Sequence, residues 1–401
     1  MKVLVFAHTP PPHHGQSYMV QLMLENVAKP APAPGELVFY HVNARLSGGM
    51  DDVGSWRAGK LFVLFGHILQ AWRLRWKYAP AAFYYVPAPA KRSALYRDWL
   101  VLLLAAPLFR VRIFHWHAIG LGQWVAEGAK QGLLRRCEAW ITRRLFSGKE
   151  LSLVLNEQGC RDIEIFSPRR IELVSNGIPD PCPDFDSALL PERLARWKTR
   201  TGPGKTPLFE LLYLAHATRT KGLFDAVDAV ALANARFAAE KSPVRMRLTV
   251  AGAFVDRDEE TAFQARIRQA DLALAAEPGA ACAVVYAGYV GPREKDRLLR
   301  NCDALCFASY FPNEGQPVSI IEALAYGMPV LLSRWRGLPE MVPSALAHLA
   351  DFRDPASLAR AMGIILAETR FQEYRNCYLE RYSLAAHCRH IRQAFLSVDS
   401  A

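Results

Sequence analysis

Glu314 and Glu322, eight residues apart, belong to a stretch from Phe311 to Leu332 that reads FPNEGQPVSIIEALAYGMPVLL. Glu322 lies in an apolar run whose neighbours Ile321 and Ala323 offer it no charge partner. A carboxylate is seldom buried unless something binds it. Two readings follow. Glu322 marks a solvated helix face or a structural ion pair, or it accepts two hydrogen bonds at once from a pair of sugar hydroxyls. The backbone amides around Gly315, Gln316 and Val318 lie where a helix begins, a position suited to an anion. A ligand carrying both hydroxyls and phosphate would use all of these groups, and a nucleotide sugar is such a ligand. Lys221-Gly222 adds a cation at a turn, able to meet a diphosphate as a point charge, although alone it also reads as a surface lysine. His115-Trp116-His117 ends a strand, and a His-x-His there can ligate metal. No further His and Asp spacing completes such a site, and a buried structural imidazole is the plainer alternative.

The elements that must position these groups are punctuated locally. Ala304 to Ala308 reads as a short buried strand, Pro317 stands where a helix begins, and Ile320, Ile321, Leu324 and Ala325 fall at helical spacing. Gly327 stops that helix, Pro329 prevents its resumption, and Val330-Leu331-Leu332 opens the next strand. Further strands are expected at Lys2 to Ala7, Ala82 to Val86, Val111 to His117, Leu151 to Leu155, Ile171 to Val174, Phe209 to Leu214, Arg247 to Ala251 and Val284 to Tyr286. Helical periods lie between most of them, as in Ser93 to Ala106 and the helix after Lys221-Gly222. Strands alternating with helices in both halves predict two doubly wound parallel α/β domains with a ligand cleft between them. Pro179 to Pro207, rich in proline, charge and small residues, reads as the linker. Its Gly202-Pro-Gly-Lys-Thr206 imitates a phosphate loop, but Thr199 stands where the first glycine is required, and a strand follows where a helix is needed.

The segment Glu314 to Val330, with its eight-residue carboxylate spacing and its Ala-Tyr-Gly-Met-Pro-Val tail, resembles the E-x7-E signature of glycosyltransferase family 4. That family comprises retaining enzymes of the GT-B fold. The resemblance implies that Glu314 faces the donor sugar and acts in catalysis, while Glu322 holds the ribose hydroxyls. It extends to the loop at Gly15, which closes over the donor diphosphate, and to His117, which contacts donor sugar or acceptor. Lys221 matches a diphosphate-clamping lysine. The partner arginine is displaced, and Arg219 is its expected substitute. The turn at Tyr289 and Val290 is expected to contact the base, and Gly315, Gln316 and Val318 complete the donor set. The implied boundaries are an acceptor-side domain at 1–180, a linker at 181–207, a donor domain at 208–370, and closing helices at 371–401 that return to the first domain.

The implied activity is transfer of a sugar from a nucleoside diphosphate sugar to a cell-envelope or polysaccharide acceptor, a lipid-linked one included, with retention and with no metal or cofactor. Asp184-Phe-Asp186 and Asp256-Arg-Asp258, the two Asp-x-Asp triplets, read as solvated loops. Two rival readings share parts of the pattern: a GT-B epimerase acting on a nucleotide sugar, and a non-catalytic nucleotide-sugar-binding relative.

Composition narrows the setting. The chain has 401 residues, 51% hydrophobic and 22% charged, enough for two cores. Its eight cysteines form no paired framework, so thiols in a reducing cytoplasm are expected. The first apolar run is too short for a signal-peptide core, and Trp99 to Phe109, the longest such run, has about half the roughly 20 residues of a membrane span. Net charge is +11. Residues 1–180 hold 22 Lys and Arg against 13 Asp and Glu, an excess of +9, so the first half is expected to face something anionic. No zinc-finger or RNA-binding pattern is present, which disfavours nucleic acid. Trp56 to Tyr78 interleaves five cations with large aromatics, which suits a helix at an anionic membrane surface or a core helix with a basic edge.

Overall fold

A computed structural model of the chain describes residues 1–11, 15–27, 36–46, 58–200, 207–270, 272, 274–275 and 283–399. The first run of elements is β1 (Lys2–Ala7), α1 (Gly15–Asn26), β2 (Val38–Asn43), α2 (Ala58–Tyr78), β3 (Ala82–Tyr85) and α3 (Arg92–Leu104). Then come β4 (Val111–Trp116), α4 (Leu121–Gly128), α5 (Leu133–Phe146), β5 (Leu151–Val154), α6 (Glu157–Ile163) and β6 (Ile171–Leu173). The later elements are α7 (Leu190–Arg200), β7 (Leu208–Leu214), α8 (Leu223–Ala239), β8 (Arg245–Ala251), α9 (Arg257–Gln269), β9 (Leu274–Ala275) and β10 (Val284–Gly288). They continue with α10 (Pro292–Asn301), β11 (Ala304–Phe307), α11 (Val318–Ala325), β12 (Val330–Ser333), β13 (His348–Ala350), α12 (Pro355–Ile365), α13 (Phe371–Arg381) and α14 (Leu384–Asp399).

These elements form two units, residues 1–178 with 384–401, and residues 179–383. In the first, the strand order is β2-β1-β3-β4-β5-β6, and in the second β13-β12-β11-β7-β8-β10-β9. Every paired strand runs parallel. A parallel sheet must be covered on both faces, which is why its strands are apolar throughout. In the first unit one apolar cluster joins the strands to α2, α3, α4 and α5, and a second joins them to α1 and α14. The second unit buries α8 and α12 in one cluster with β7, β8 and β11.

The stretch read as a linker is helical over residues 185–200. Phe185–Leu189 forms a π-helical turn that runs into α7, with Phe185 and Leu189 fully buried. Arg193, 3% exposed, donates to the carbonyls of Tyr326, Cys302 and Leu299. Proline and charge at 179–207 therefore mark a docked helix, and the phosphate-loop lookalike at 202–206 lies outside the described residues. The Asp-x-Asp triplets are likewise anchored. Asp184 takes both ends of the Arg300 guanidinium, at 3.0 and 2.8 Å, and Asp256 caps the N-terminus of α9 through the amide of Asp258. Of the closing helices, α13 belongs to the second unit and α14 to the first.

Candidate functional site

In the second sheet the chain starts at β7, builds outward through β8, and then returns to the other side of β7 with β11. At such a reversal the loops leaving the carboxyl ends of adjacent strands diverge and leave a crevice for a ligand. The loops here are residues 215–222 after β7 and 308–317 after β11. They are stitched together: the amide of Tyr310 donates to the carbonyl of Thr220 at 2.8 Å. Gly222 makes the crossing possible. Its φ is +77°, and an added Cβ would lie 2.1 Å from the Ala308 carbonyl oxygen. Only glycine fits both conditions.

Lys221 and Glu314, 93 residues apart in sequence, meet at this crossing. Lys221 Nζ lies 3.0 Å from Oε1 and 2.8 Å from Oε2 of Glu314. Ser309 donates its hydroxyl to the same carboxylate, and its amide-side partner is Phe311, whose N–H donates to Ser309 Oγ at 3.2 Å. Glu314 is 6% exposed, so its charge is held by these contacts. The ammonium also sits 4.8 Å from the centre of the Phe311 ring, a favourable cation–π distance. Such a pair is a preformed exchange: a phosphate can take the lysine while sugar hydroxyls take the carboxylate.

The helix that follows is α11. Pro317 is its N-cap rather than its first helical residue, and Val318 opens it. Gly327 ends it with φ +60°, and a Cβ there would strike the Phe185 ring at 2.4 Å. Gly315 and Gln316 lie in the loop between Glu314 and this N-terminus, with Gln316 buried. Glu322, on α11, is half-buried and pairs with Lys295 of α10 at 2.5 Å. Of the readings left open for Glu322, the ion pair is present: its partner arrives from another helix, not from its sequence neighbours. Arg219 is exposed, its guanidinium stacked 4.2 Å from the Phe224 ring and its amide bonded to Glu259 at 2.7 Å. Tyr289 is 83% exposed, beside Gly288 at φ +66°, and Val290 follows in the same turn.

Gly15 and His117 belong to the first unit, at the carboxyl ends of its strands. Gly15 opens α1. His117 is half-buried just past β4, its ring 4.1 Å from that of His115. His115 is 1% exposed and bonded through Nδ1 to the Tyr84 hydroxyl at 2.8 Å. Burial, with His117 and His387 nearby, pushes the His115 imidazole well below its usual pKa. His387 of α14, fully buried and 2.6 Å from the Ser175 carbonyl, is pushed down to about 4, chiefly by burial. After His117 the chain turns at Gly120, and Asp162 accepts from the amides of Gly120, Gly122 and Gln123 at 2.8, 3.2 and 3.1 Å.

Sequence reasoning missed Ser309, Lys295 and Asp162. Ser309 stands just beyond the end of a buried strand, where ligand groups collect, so a signal existed. Lys295 in PREKDRLLR and Asp162 in RDIEIF had none. Among the described residues no cluster of three or more His, Cys, Asp or Glu could hold a metal, and no helix is long and apolar enough to cross a membrane.

Residues 196–379 match the model for glycosyl transferases group 1. Over 284 residues the chain is 28% identical to a glycogen synthase of Mycobacterium tuberculosis, covering 67% of this chain and 58% of that protein. The chain thus spans little more than half the length of the curated relatives it matches. A glycosyltransferase from Rickettsia africae superposes with a TM-score of 0.65 at 14% identity, covering 99% of this chain and 98% of that one. Anabaena HepE in complex with UDP-glucose gives 0.61 at 14% identity over the full length of both chains. At these identities the two structures share the fold, the two-domain GT-B architecture expected from the sequence.

Proposed function

We propose, from the match of residues 196–379 to the glycosyl transferases group 1 model, that the protein transfers a sugar from a nucleoside diphosphate donor to a carbohydrate acceptor. The observation that carries this reading is the pairing of half-buried Lys221 with buried Glu314 at the strand reversal, with Ser309 and the α11 N-terminus beside it. On this reading the donor diphosphate takes Lys221, and Arg219 and the α11 amides meet the charge that develops on the leaving group. Groups placed in advance at a developing charge contribute several kcal/mol in a water-poor site, and no metal is then required. Glu314, released from the lysine, faces the sugar. Glu322 accepts from the ribose hydroxyls, with Lys295 holding it in place. The family resemblance assigns Gly15 to the diphosphate and His117 to donor sugar or acceptor, and the turn at Tyr289 and Val290 meets the base.

The finer reading is retention of anomeric configuration and a cell-envelope or polysaccharide acceptor, with a lipid-linked acceptor met by a protein peripheral to the cytoplasmic membrane face. Support comes from the basic excess in residues 1–180 and from the resemblance of the Glu314–Glu322 segment to retaining enzymes. The test is incubation with a panel of nucleoside diphosphate sugars, following slow donor hydrolysis and its stimulation by acceptors. Release of nucleoside diphosphate supports transfer. Conversion of the donor sugar to an epimer without release identifies the epimerase reading, and binding without turnover identifies a non-catalytic relative. The anomeric configuration of any product decides retention.

A further inference from the structure

The helices covering one face of the first sheet present an outer surface unlike the rest of the unit. Leu64, Ile68 and Ala71 of α2, Leu95 and Val101 of α3, and Ala139 and Phe146 of α5 point into one apolar cluster. The opposite side of α2 should then be polar, and it is not. Phe62, Phe65, Leu69 and Trp76 are 79%, 43%, 50% and 71% exposed, at offsets of 3, 7 and 14 residues, which is one stripe of a helix. From Phe62 to Trp76 it extends about 21 Å at 1.5 Å per residue. On α5, Leu133 and Trp140 are 78% and 69% exposed, seven residues apart and so on one face. Leu103 of α3 is exposed as well. The Trp72 indole donates to the Leu104 carbonyl at 2.9 Å, which ties α2 to the end of α3.

The charges on these three helices have one sign where solvent reaches them. They contain ten Lys and Arg and two carboxylates. Both carboxylates are buried, Asp98 at 0% and Glu138 at 3% exposure. Asp98 is bonded to the Tyr85 hydroxyl and the Ala88 amide, and Glu138 to Arg92, Arg135 and Tyr96. Arg73, Arg136, Arg143 and Arg144 are exposed. An ordinary surface intersperses both signs and avoids large apolar patches. Large aromatics with cations and no exposed carboxylate fit the boundary of an anionic bilayer, where rings enter the headgroup layer and cations meet lipid phosphates. A second copy of the chain would set like charge against like across a two-fold axis, which disfavours it.

We propose that the outer face formed by α2, α3 and α5 is a docking surface for an anionic lipid leaflet, with α2 and α5 both lying in the interface. The proposal rests on the membrane-peripheral reading above and goes beyond it, because α5 is a second anchor. One helix leaves the unit free to rotate about the helix axis, whereas two fix which face meets the lipid.

The test is co-sedimentation of the full chain with anionic and with zwitterionic vesicles, at low and high salt. The wild type should sediment with anionic vesicles, with a part that salt does not release. An α2 variant (F62D/W76D) and an α5 variant (W140D/R143E/R144E) should each lower vesicle affinity roughly tenfold or more, since the first loses two inserted rings and the second one ring and two cations, each cation near the surface contributing about fivefold. All five side chains are exposed, so thermal midpoints and nucleotide affinity should stay at wild-type values. Brominated lipid should quench wild-type tryptophan fluorescence, with less quenching in W140F. If the wild type ignores anionic vesicles at low salt, this proposal and the membrane-peripheral reading both fall. If the wild type binds and the α5 variant binds equally well, the two-anchor proposal falls and the membrane-peripheral reading stands. Binding to heparin or RNA without binding to vesicles would identify a polyanion surface and overturn it.

Discussion

The two units handle charge in opposite ways at the carboxyl ends of their strands. In the second, full charges are kept and paired: Lys221 with a 6%-exposed Glu314, and Glu322 with Lys295. In the first, three buried groups, His115, Tyr84 and His387, are held neutral, because burial pushes both imidazoles down and the phenol up, and the buried Asp98 is held by the Tyr85 hydroxyl, the Ala88 amide and Arg97. Its cations lie instead on the outer helix faces. A paired charge can trade its partner for a ligand of that partner's sign, which is what the proposed charged donor asks of the second unit. A neutral buried imidazole cannot do that, but it answers to pH.

Lys221→Ala breaks the paired side of this contrast, and its effect should be the largest. Activity should fall about 10²–10³-fold, the scale for losing one preplaced donor to a developing charge. Affinity should drop far more for the nucleoside diphosphate than for the bare nucleoside, as measured by calorimetry. An unchanged ratio of the two affinities would remove Lys221 from the diphosphate role. The variant should also melt at a lower temperature, since a buried carboxylate loses its ammonium partner.

Acid tests the neutral side. A histidine whose folded pKa is depressed binds fewer protons in the folded state than in the unfolded chain, so its stability contribution is present above the unfolded value near 6.5. It is lost as pH falls from there toward the folded value. For His387 the window runs from about 6.5 to about 4, on the order of 3 kcal/mol, and His115 adds to it in the same direction. Denaturant midpoints should therefore fall steeply across that range. His387→Gln should flatten the slope, and an identical slope in the variant would show that the neutral cluster does not govern acid stability.

Glu322→Ala sharpens the comparison inside the second unit. Loss of hydrogen bonds to a charged acceptor, at roughly 1.5–3 kcal/mol each, should weaken nucleoside diphosphate binding about tenfold or more. Lys295→Ala should weaken it less, because the carboxylate remains. If only the melting temperature moves in both variants, Glu322 is a structural ion pair. The smallest effect is expected for Tyr289→Ala: its ring is 83% exposed, and nucleoside affinity should change by about twofold or less. A large loss would show that the ring itself covers the base.

The reading of α11 and its flanking strands needed only local signals. Pro317, Gly327 and Pro329 limit one short apolar helix whatever surrounds it, and the strands expected at Lys2 to Ala7 and Phe209 to Leu214 coincide with β1 and, within a residue, β7. The segment at 179–207 misled for the opposite reason. Its prolines and charges are locally those of a loop, but Phe185, Leu189 and Arg193 find burial and carbonyl partners more than 100 residues away. Trp56 and Arg57, part of the aromatic–basic run, lie outside the described residues, and α2 accounts for the rest.

Period and punctuation in the sequence by itself determined the alternating α/β architecture and the helix after Glu314. Spacing along a chain says which groups share a helix or a turn, because those distances are set by backbone geometry alone. It says nothing about partners that meet only after strands are ordered. The tertiary structure decided that β11 lies beside β7, so that Lys221 reaches Glu314 across 93 residues. It decided that Lys295 reaches Glu322, and that Asp98 and Glu138 turn inward, leaving α2, α3 and α5 with exposed charge of a single sign.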